Sequence, residues 1–298
     1  MSDCTMQLSK RTMLSTPDRL LVATDLSDLD WLVPHAIAQA KAYNAPITFV
    51  HAISSVYAAS LELVERTGED PARLVKEVRR ALADIVTRVE SEGIVCSTAV
   101  RVGTPSEVIR EQLLMPGSAR IIMGTHGRGK LRQLALGSVA HALIAQGDVS
   151  IFIVGPQAHN SSKNPSPRHI LHPVSFIGDY KDGARLAFDL AARYNADVTL
   201  VHVLGPEAQK DIYPTRVIDW AKDALLQLIP DAQQFAGTTR VEVVFGKVAE
   251  QILAGADKSA ADWIVLATDE GTNTGVFNES RAFEVLASAR CPVFTFRF

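Results

Sequence analysis

Short apolar segments rich in β-branched residues alternate along the chain with longer segments whose apolar residues recur at helical spacing. Runs such as RIIMG (120–124) and DWIVLA (262–267) are almost continuously apolar, which indicates strands covered on both faces. Strands that alternate with helices predict a parallel, doubly wound α/β sheet. The predicted strands are 20–24, 47–53, 95–102, 119–124, 150–154, 169–173, 198–204, 240–245, 262–267 and 292–297.

The chain is a tandem repeat. Residues 43–53 read YNAPITFVHAI and residues 194–204 read YNADVTLVHVL, and other landmarks follow in the same order in both halves. Between the copies, GPQAHNSSKNPSPR (155–168) is rich in Pro, Ser and Asn and is interpreted as an exposed linker. The predicted organisation is an extension (1–18), a first domain (19–156), a linker (157–167) and a second domain (168–298).

Composition excludes several classes of protein. A formal net charge of −3 gives no electrostatic reason to expect a nucleic-acid or anionic-membrane partner. The three cysteines, Cys4, Cys96 and Cys291, lie far apart and do not form a disulfide framework. The N-terminus has no apolar core of a signal peptide, and no apolar run is long enough for a membrane span. We therefore expect a cytoplasmic protein.

A glycine-rich loop follows the fourth strand. Gly124, Gly127 and Gly137 flank a segment with three basic and no acidic residues, and Gly137-Ser138 opens a helix. Glycines let the backbone approach an anion, and the first N–H groups of a helix have no internal partner, so the loop could seat a phosphate. Glycines after strands are also ordinary turn residues, and the loop alone does not decide between the two interpretations.

The wider motif set resembles the universal stress protein family. It comprises Ala23-Thr24-Asp25-Leu26-Ser27, Val50-His51, Val102-Gly103-Thr104-Pro105 and Gly124-x2-Gly127-x9-Gly137-Ser138, the last being the spacing of ATP-binding members. The resemblance covers both copies. It implies two tandem domains, each with a five-stranded parallel sheet of the Rossmann-like, adenine nucleotide alpha hydrolase-like type. It also implies ATP or AMP between the first and fourth strands. Mg²⁺ could be recruited by the phosphate oxygens without a dedicated set of protein ligands.

The same resemblance implies a set of nucleotide-binding residues, and it assigns no catalytic residue or metal ligand. At Ala23 many members have proline. Asp25 could instead cap the next helix. His51 is repeated as His202 in the second copy and is interpreted as structural. His126 could contact phosphate or face solvent. The expected binding residues are Ala23, Thr24, Asp25, Ser27, Ala52, Met123, Gly124, His126, Gly127, Arg128, Gly137, Ser138, Val139 and Ala140.

The second copy has a degenerate version of this motif. Gly124, Gly127 and Gly137 correspond to Ala267, Glu270 and Glu279, and Asp25 corresponds to Ser175. Carboxylates would repel a polyphosphate, so we expect no ATP there. The acids lack the spacing of a calcium loop. His169, His172 and His202 could converge, but they lack the spacing of a zinc site.

Three functions remain open from the sequence: a nucleotide-binding regulator of the stress response, a slow ATPase or nucleotide hydrolase, and an interaction module with a vestigial pocket. No P-loop and no obvious carboxylate base support the second. The protein partner is not identified.

The last strand of each copy is apolar, and an unpaired apolar edge promotes aggregation. Single-domain family members commonly dimerise through this strand. We therefore predict an intramolecular pseudo-dimer with 150–154 antiparallel to 292–297, and the sequence leaves open whether whole chains also form a homodimer.

Overall fold

A computed structural model describes residues 16–53, 71–125, 137–146, 149–207, 214–268 and 279–297. Each half contributes five strands, and every strand agrees with its predicted bounds to within one residue. The strands are β1 Arg19–Ala23, β2 Ile47–Ile53, β3 Cys96–Val102, β4 Ala119–Gly124, β5 Ser150–Val154, β6 His169–Pro173, β7 Asp197–Leu204, β8 Thr239–Phe245, β9 Trp263–Ala267 and β10 Val293–Phe296.

Helices connect the parallel strands of each half. Among the described residues they are α1 Leu29–Tyr43, α2 Pro71–Ser91, α3 Pro105–Leu113, α4 Ser138–Gln146, α5 Tyr180–Tyr194, α6 Pro214–Leu226, α7 Val248–Ser259 and α8 Glu279–Ser288. No helix in these segments combines the length and apolarity needed to cross a bilayer.

The ten strands form one sheet in the order β3-β2-β1-β4-β5-β10-β9-β6-β7-β8. Each half is a five-stranded parallel sheet, and the halves meet where β5 pairs antiparallel with β10, with Phe152 opposite Phe294. The Thr295 hydroxyl donates to the Ile151 carbonyl at 3.3 Å across this junction. The predicted pairing of the two final strands is therefore confirmed.

Alternating strand residues feed two apolar cores, one on each face of the sheet. Leu20 and Val22 point to the face covered by α1, α2, α5 and α6, whereas Leu21 and Ala23 point to the face covered by α3, α4, α7 and α8. Because both faces are covered, the inner strands are largely buried, which explains their continuous apolar runs, whereas the edge strands β3 and β8 are partly exposed. The ends of β1 and β4 lie against the second of these cores.

The segment between the halves packs partly against α1, while other residues of it, among them Asn160, Lys163 and Asn164, are exposed. Residues His159–Lys163 form a 3₁₀ helix, and Ala158 just before it is fully buried. The imidazole of His35 donates through Nδ1 to the Pro165 carbonyl at 3.3 Å and contacts the Ser161 hydroxyl at 2.9 Å. Burial lowers the pKa of His35 to about 4. The expected exposure of the linker therefore applies to part of the segment, because α1 offers the rest a polar partner that the segment's own sequence does not reveal.

Candidate functional site

The winding of the first half reverses between β1 and β4, which are adjacent parallel strands with Ala23 beside Met123. The crevice at the carboxyl ends of such a strand pair is where doubly wound sheets bind ligands. A cavity of about 250 Å³ lies at this point. Ten of the residues expected from the sequence line it: Ala23, Thr24, Asp25, Ala52, Met123, Gly124, Gly137, Ser138, Val139 and Ala140.

Of the expected residues that the structure describes, one is not part of this lining. Ser27 lies beside the cavity, and its N–H and hydroxyl donate to Asp25 Oδ1 at 2.9 and 2.5 Å, so it positions the Asp25 carboxyl. His126, Gly127 and Arg128 fall outside the described residues. The sequence missed six further lining residues: Asp28, Val50, His51, Pro105, Ile109 and Thr125.

The loop between β1 and α1 is held by the side chain of Thr24. Its hydroxyl oxygen accepts from the N–H of Leu26 at 2.9 Å, and Leu26 adopts the left-handed conformation with φ 74°. The same hydroxyl donates to Asp28 Oδ1 at 2.5 Å. These bonds turn the chain so that Asp28, and not Asp25, occupies the N-cap position of α1. The alternative role of Asp25 as a helix cap is therefore wrong.

Asp28 is a buried carboxyl at the cavity wall, with 5% of its surface exposed. Burial raises the pKa of Asp28 to about 6; the hydrogen bond from Thr24 opposes this rise, and the nearby Asp25 charge adds to it. A Cβ at Gly124 would lie only 2.9 Å from Asp28 Oδ2. Glycine at position 124 thus makes room for the Asp28 carboxyl. The sequence signal for Asp28 was an acid four residues after Thr24, directly before a helix.

The histidine of the second strand has the same structural role in both halves. His51 Nδ1 donates to the Thr24 carbonyl at 2.9 Å, and His202 Nδ1 donates to the Val174 carbonyl at 2.7 Å. Each bond ties the second strand to the loop after the first strand. The interpretation of His51 as a structural residue is supported, although its ring also lines the cavity.

The N-terminus of α4 faces the same cavity. The Gly137 N–H donates to the Thr125 carbonyl at 2.7 Å, which ties the start of α4 to the end of β4. The helix ladder begins with the His141 N–H, which donates to the Gly137 carbonyl at 3.0 Å. The N–H groups of Ser138, Val139 and Ala140 therefore have no acceptor inside the helix, and the helix dipole makes this end favourable for an anion.

Helix α3 closes the cavity from the side. Thr104 caps it, with the Glu107 N–H donating to the Thr104 hydroxyl oxygen at 3.4 Å and the Glu107 carboxylate accepting from the Thr104 N–H at 3.2 Å. Pro105 then occupies the first turn, and Ile109 follows one turn later on the same face. This capped start fixes an apolar wall opposite β1 and β4.

The second half has lost the polar groups of this arrangement. Val174 and Ser175 replace Thr24 and Asp25. The loop from β6 to α5 is one residue longer, and its N-cap residue, Asp179, is exposed whereas Asp28 is buried. At the end of β9, Ala267 stands in place of Gly124. Asp269, Glu270 and the side chain of Glu279 lie outside the described residues.

The three histidines of the second half do not converge on a metal. His169 contacts the Thr199 hydroxyl at 2.8 Å, His172 donates to the Val265 carbonyl at 2.8 Å, and His202 is bonded as described above. The described part of the chain contains no group of three or more metal-ligating side chains.

Fold and site together define a tandem α/β protein with a ligand crevice at the switch point of its first half. Both halves match the model of the universal stress protein family, at residues 17–155 and 167–297. The chain belongs to this family.

Individual relatives agree with this assignment. A universal stress protein of Methanocaldococcus jannaschii is 28% identical over 138 residues, which are 46% of this chain and 81% of that protein. One from Synechocystis is 32% identical over 78 residues, 26% of this chain and 51% of that protein. The crystal structure of a universal stress protein from Archaeoglobus fulgidus superposes with a TM-score of 0.68 at 18% identity, covering 96% of this chain and 98% of that one. This last likeness supports the tandem fold.

Proposed function

We propose that the chain binds an adenine nucleotide, ATP or AMP, in the cavity of its first half and acts as a nucleotide-responsive regulator in the stress response. One observation carries the proposal: a single cavity joins an apolar wall to the free N–H groups at the start of α4. An aromatic base and a phosphate need these two surfaces side by side. Membership of the universal stress protein family supports the regulatory role.

The lining residues fit the parts of a nucleotide. Ala23, Val50, Ala52, Met123 and Ile109 present apolar surface of the kind that packs against a purine. The Asp25 carboxylate, held by Ser27, can accept hydrogen bonds from ribose hydroxyls or a base amine. Mg²⁺ would reach the site on the phosphate oxygens, which needs no dedicated set of protein ligands.

Slow ATP hydrolysis is a second candidate, and one observation favours it. The sequence offered no obvious carboxylate base, but Asp28 lines the cavity with a pKa of about 6, in the range suited to a general base. Phosphate release by the purified protein tests this function. Turnover that disappears in Asp28→Asn while ATP still binds would establish hydrolysis, whereas binding without turnover supports the regulator.

The nucleotide itself is identified by denaturing the purified protein and separating what it releases. The protein is first saturated with ATP or AMP, and the unbound nucleotide is then removed. We expect denaturation to release about one equivalent of adenine nucleotide per chain. A protein that neither retains nor binds adenine nucleotide would favour the third function, an interaction module with a vestigial pocket.

The variant Gly127→Glu places the second half's own residue, Glu270, in the glycine loop of the first half. We expect it to abolish ATP binding in calorimetry, because glutamate restricts the backbone and repels phosphate. Gly205→Glu is the matched control, since nothing lies within 4 Å of a Cβ added at that exposed glycine. Undiminished affinity in Gly127→Glu would place the phosphates elsewhere.

A further inference from the structure

The cavity that is proposed to hold the nucleotide contains a buried carboxyl next to the end of β4, to which the start of α4 is tied. Asp28 Oδ1 accepts from the Thr24 hydroxyl, and its Oδ2 lies next to the backbone of Gly124, so the carboxyl sits between the ends of β1 and β4. With 5% of its surface exposed, it has little access to water. A buried carboxylate in an anion site is unfavourable unless it is neutralised.

Among the residues that the structure describes, the charged groups around Asp28 do not neutralise it. The lining includes Asp25 on the same loop and His51 on β2, whose Nδ1 is bonded to the Thr24 carbonyl. The residues that β4, α3 and α4 contribute to the lining are uncharged, and the described lining residues include no lysine or arginine: Pro105, Ile109, Met123, Gly124, Thr125, Gly137, Ser138, Val139 and Ala140.

Building on the proposed nucleotide function, we propose that Asp28 takes up a proton when the phosphates enter the cavity, so that nucleotide binding is linked to pH. The neutral carboxyl removes a like charge from beside the phosphates, and its new O–H can donate a hydrogen bond to them. Asp28 would then determine affinity as a residue that touches the ligand. Because a protonated carboxyl cannot accept a proton from water, this inference rests on the regulator and not on the ATPase.

The position of Asp28 makes this proton uptake possible near neutral pH. Burial already raises the pKa of Asp28 to about 6 in the free protein. A further negative charge at close range raises the pKa of a carboxyl by about one or more. Between about pH 6 and pH 8 the free protein is mostly ionised at this position and the complex carries more proton, so affinity increases as pH falls through this window.

The test is calorimetry with ATP, without added divalent metal, on the whole chain at about pH 6, 7 and 8. We expect the affinity of the wild type to rise by about fivefold or more from pH 8 to pH 6, beyond any change seen in Asp28→Asn. Asn keeps an oxygen acceptor for the Thr24 hydroxyl and carries no charge. The comparison cancels the titration of the ATP phosphates and of all other groups. Asp30→Asn is the matched control, because Asp30 is exposed in the first turn of α1 and does not line the cavity.

A second measurement needs no variant. Binding enthalpies of the wild type in two buffers with different ionisation enthalpies give the number of protons taken up, which should be about 0.4 or more near pH 7. The inference is overturned if the wild type takes up no more protons than Asp28→Asn and the affinities of the two proteins change with pH in parallel. This result would leave the nucleotide function intact. Absence of ATP binding in the wild type, Asp28→Asn and Asp30→Asn at every pH overturns both.

Discussion

The carboxyl of Asp28 lies in the cavity wall with a hydroxyl as its hydrogen-bond partner and with Gly124 beside it. The family resemblance assigned Asp25 to the site, and Asp25 does line the cavity, but both acids stand at the start of α1 and their spacing did not point to Asp28. What separates them is the backbone at Leu26, which takes the left-handed conformation and turns Asp28 inward. A left-handed leucine is rare, and no residue type in this loop announced it. This part of the site could not be predicted from the sequence.

The buried charge of Asp28 makes the stability of the protein depend on pH. Because the pKa of Asp28 is raised to about 6 from an ordinary 3.8, the folded state holds more proton than the unfolded state in that window. Stability therefore falls as pH rises from about 4 to about 6 and stays lower above it. We expect Asp28→Asn to raise the free energy of unfolding by about 1–3 kcal/mol near pH 8, and by much less near pH 4.

Thermal or urea unfolding across this pH range measures the effect. Asp30→Asn removes the same charge from an exposed position of the same helix and should leave the profile of the wild type unchanged. If Asp28→Asn destabilises the protein equally at both ends of the range, the carboxyl is not strained by burial and its pKa is close to the ordinary value.

At the scale of elements, the inner strands were predicted to within one residue because burial on both faces makes them largely apolar, and the more polar edge strands β3 and β8 were predicted as closely. The linker was predicted less well. Its composition is that of a loop, and the contacts that dock it come from His35, which lies more than a hundred residues earlier. The local sequence predicts elements that bury apolar surface of their own. It does not predict that a polar segment will be hydrogen-bonded to a side chain far away in the sequence.

Helix α4 is an element that both halves hold in place. The ring of His141 lies 4.6 Å from the ring of Phe283 on α8, and Arg297 donates to the Ala145 carbonyl at 3.4 Å. Since the first turn of α4 faces the cavity, these contacts link the phosphate end of the site to the second half. We predict that Phe283→Ala weakens ATP binding about two- to fivefold, because α4 is held less firmly. The same variant should lower the free energy of unfolding by about 1–3 kcal/mol.

Phe283→Leu serves as the conservative variant, because it refills most of the space and should restore ATP affinity together with stability. Calorimetry and urea unfolding give the two quantities separately. A variant Phe283→Ala that is destabilised but binds ATP as tightly as the wild type would show that α4 needs no support from α8.

At the scale of the molecule, the two halves are joined by a sheet that runs through both and by a cluster of buried side chains. Arg120 is fully buried on β4, donates to Gln39 Oε1 at 2.9 Å and lies over the rings of Tyr43 and Phe294, 4.7 and 4.8 Å from their centroids. Phe294 belongs to the second half, so this arginine bridges the junction. The pairing of β5 with β10 could be predicted from their apolar edges; the buried arginine could not, since a single charge in an apolar strand gives no sign of its partners.

The asymmetry of the halves leads to the last prediction, that each chain binds about one molecule of ATP. The second half keeps the sheet and the structural histidine but has Val174 for Thr24, Ser175 for Asp25 and Ala267 for Gly124. Its loop also has a left-handed residue, Phe176 with φ 58°, where the first half has Leu26, but it is one residue longer and leaves Asp179 exposed. Calorimetric titration of the whole chain should give a stoichiometry near one, and near zero in Gly127→Glu, whose second half is unchanged. A stoichiometry near two in the wild type, falling to one in that variant, would show that the second half binds nucleotide by different residues.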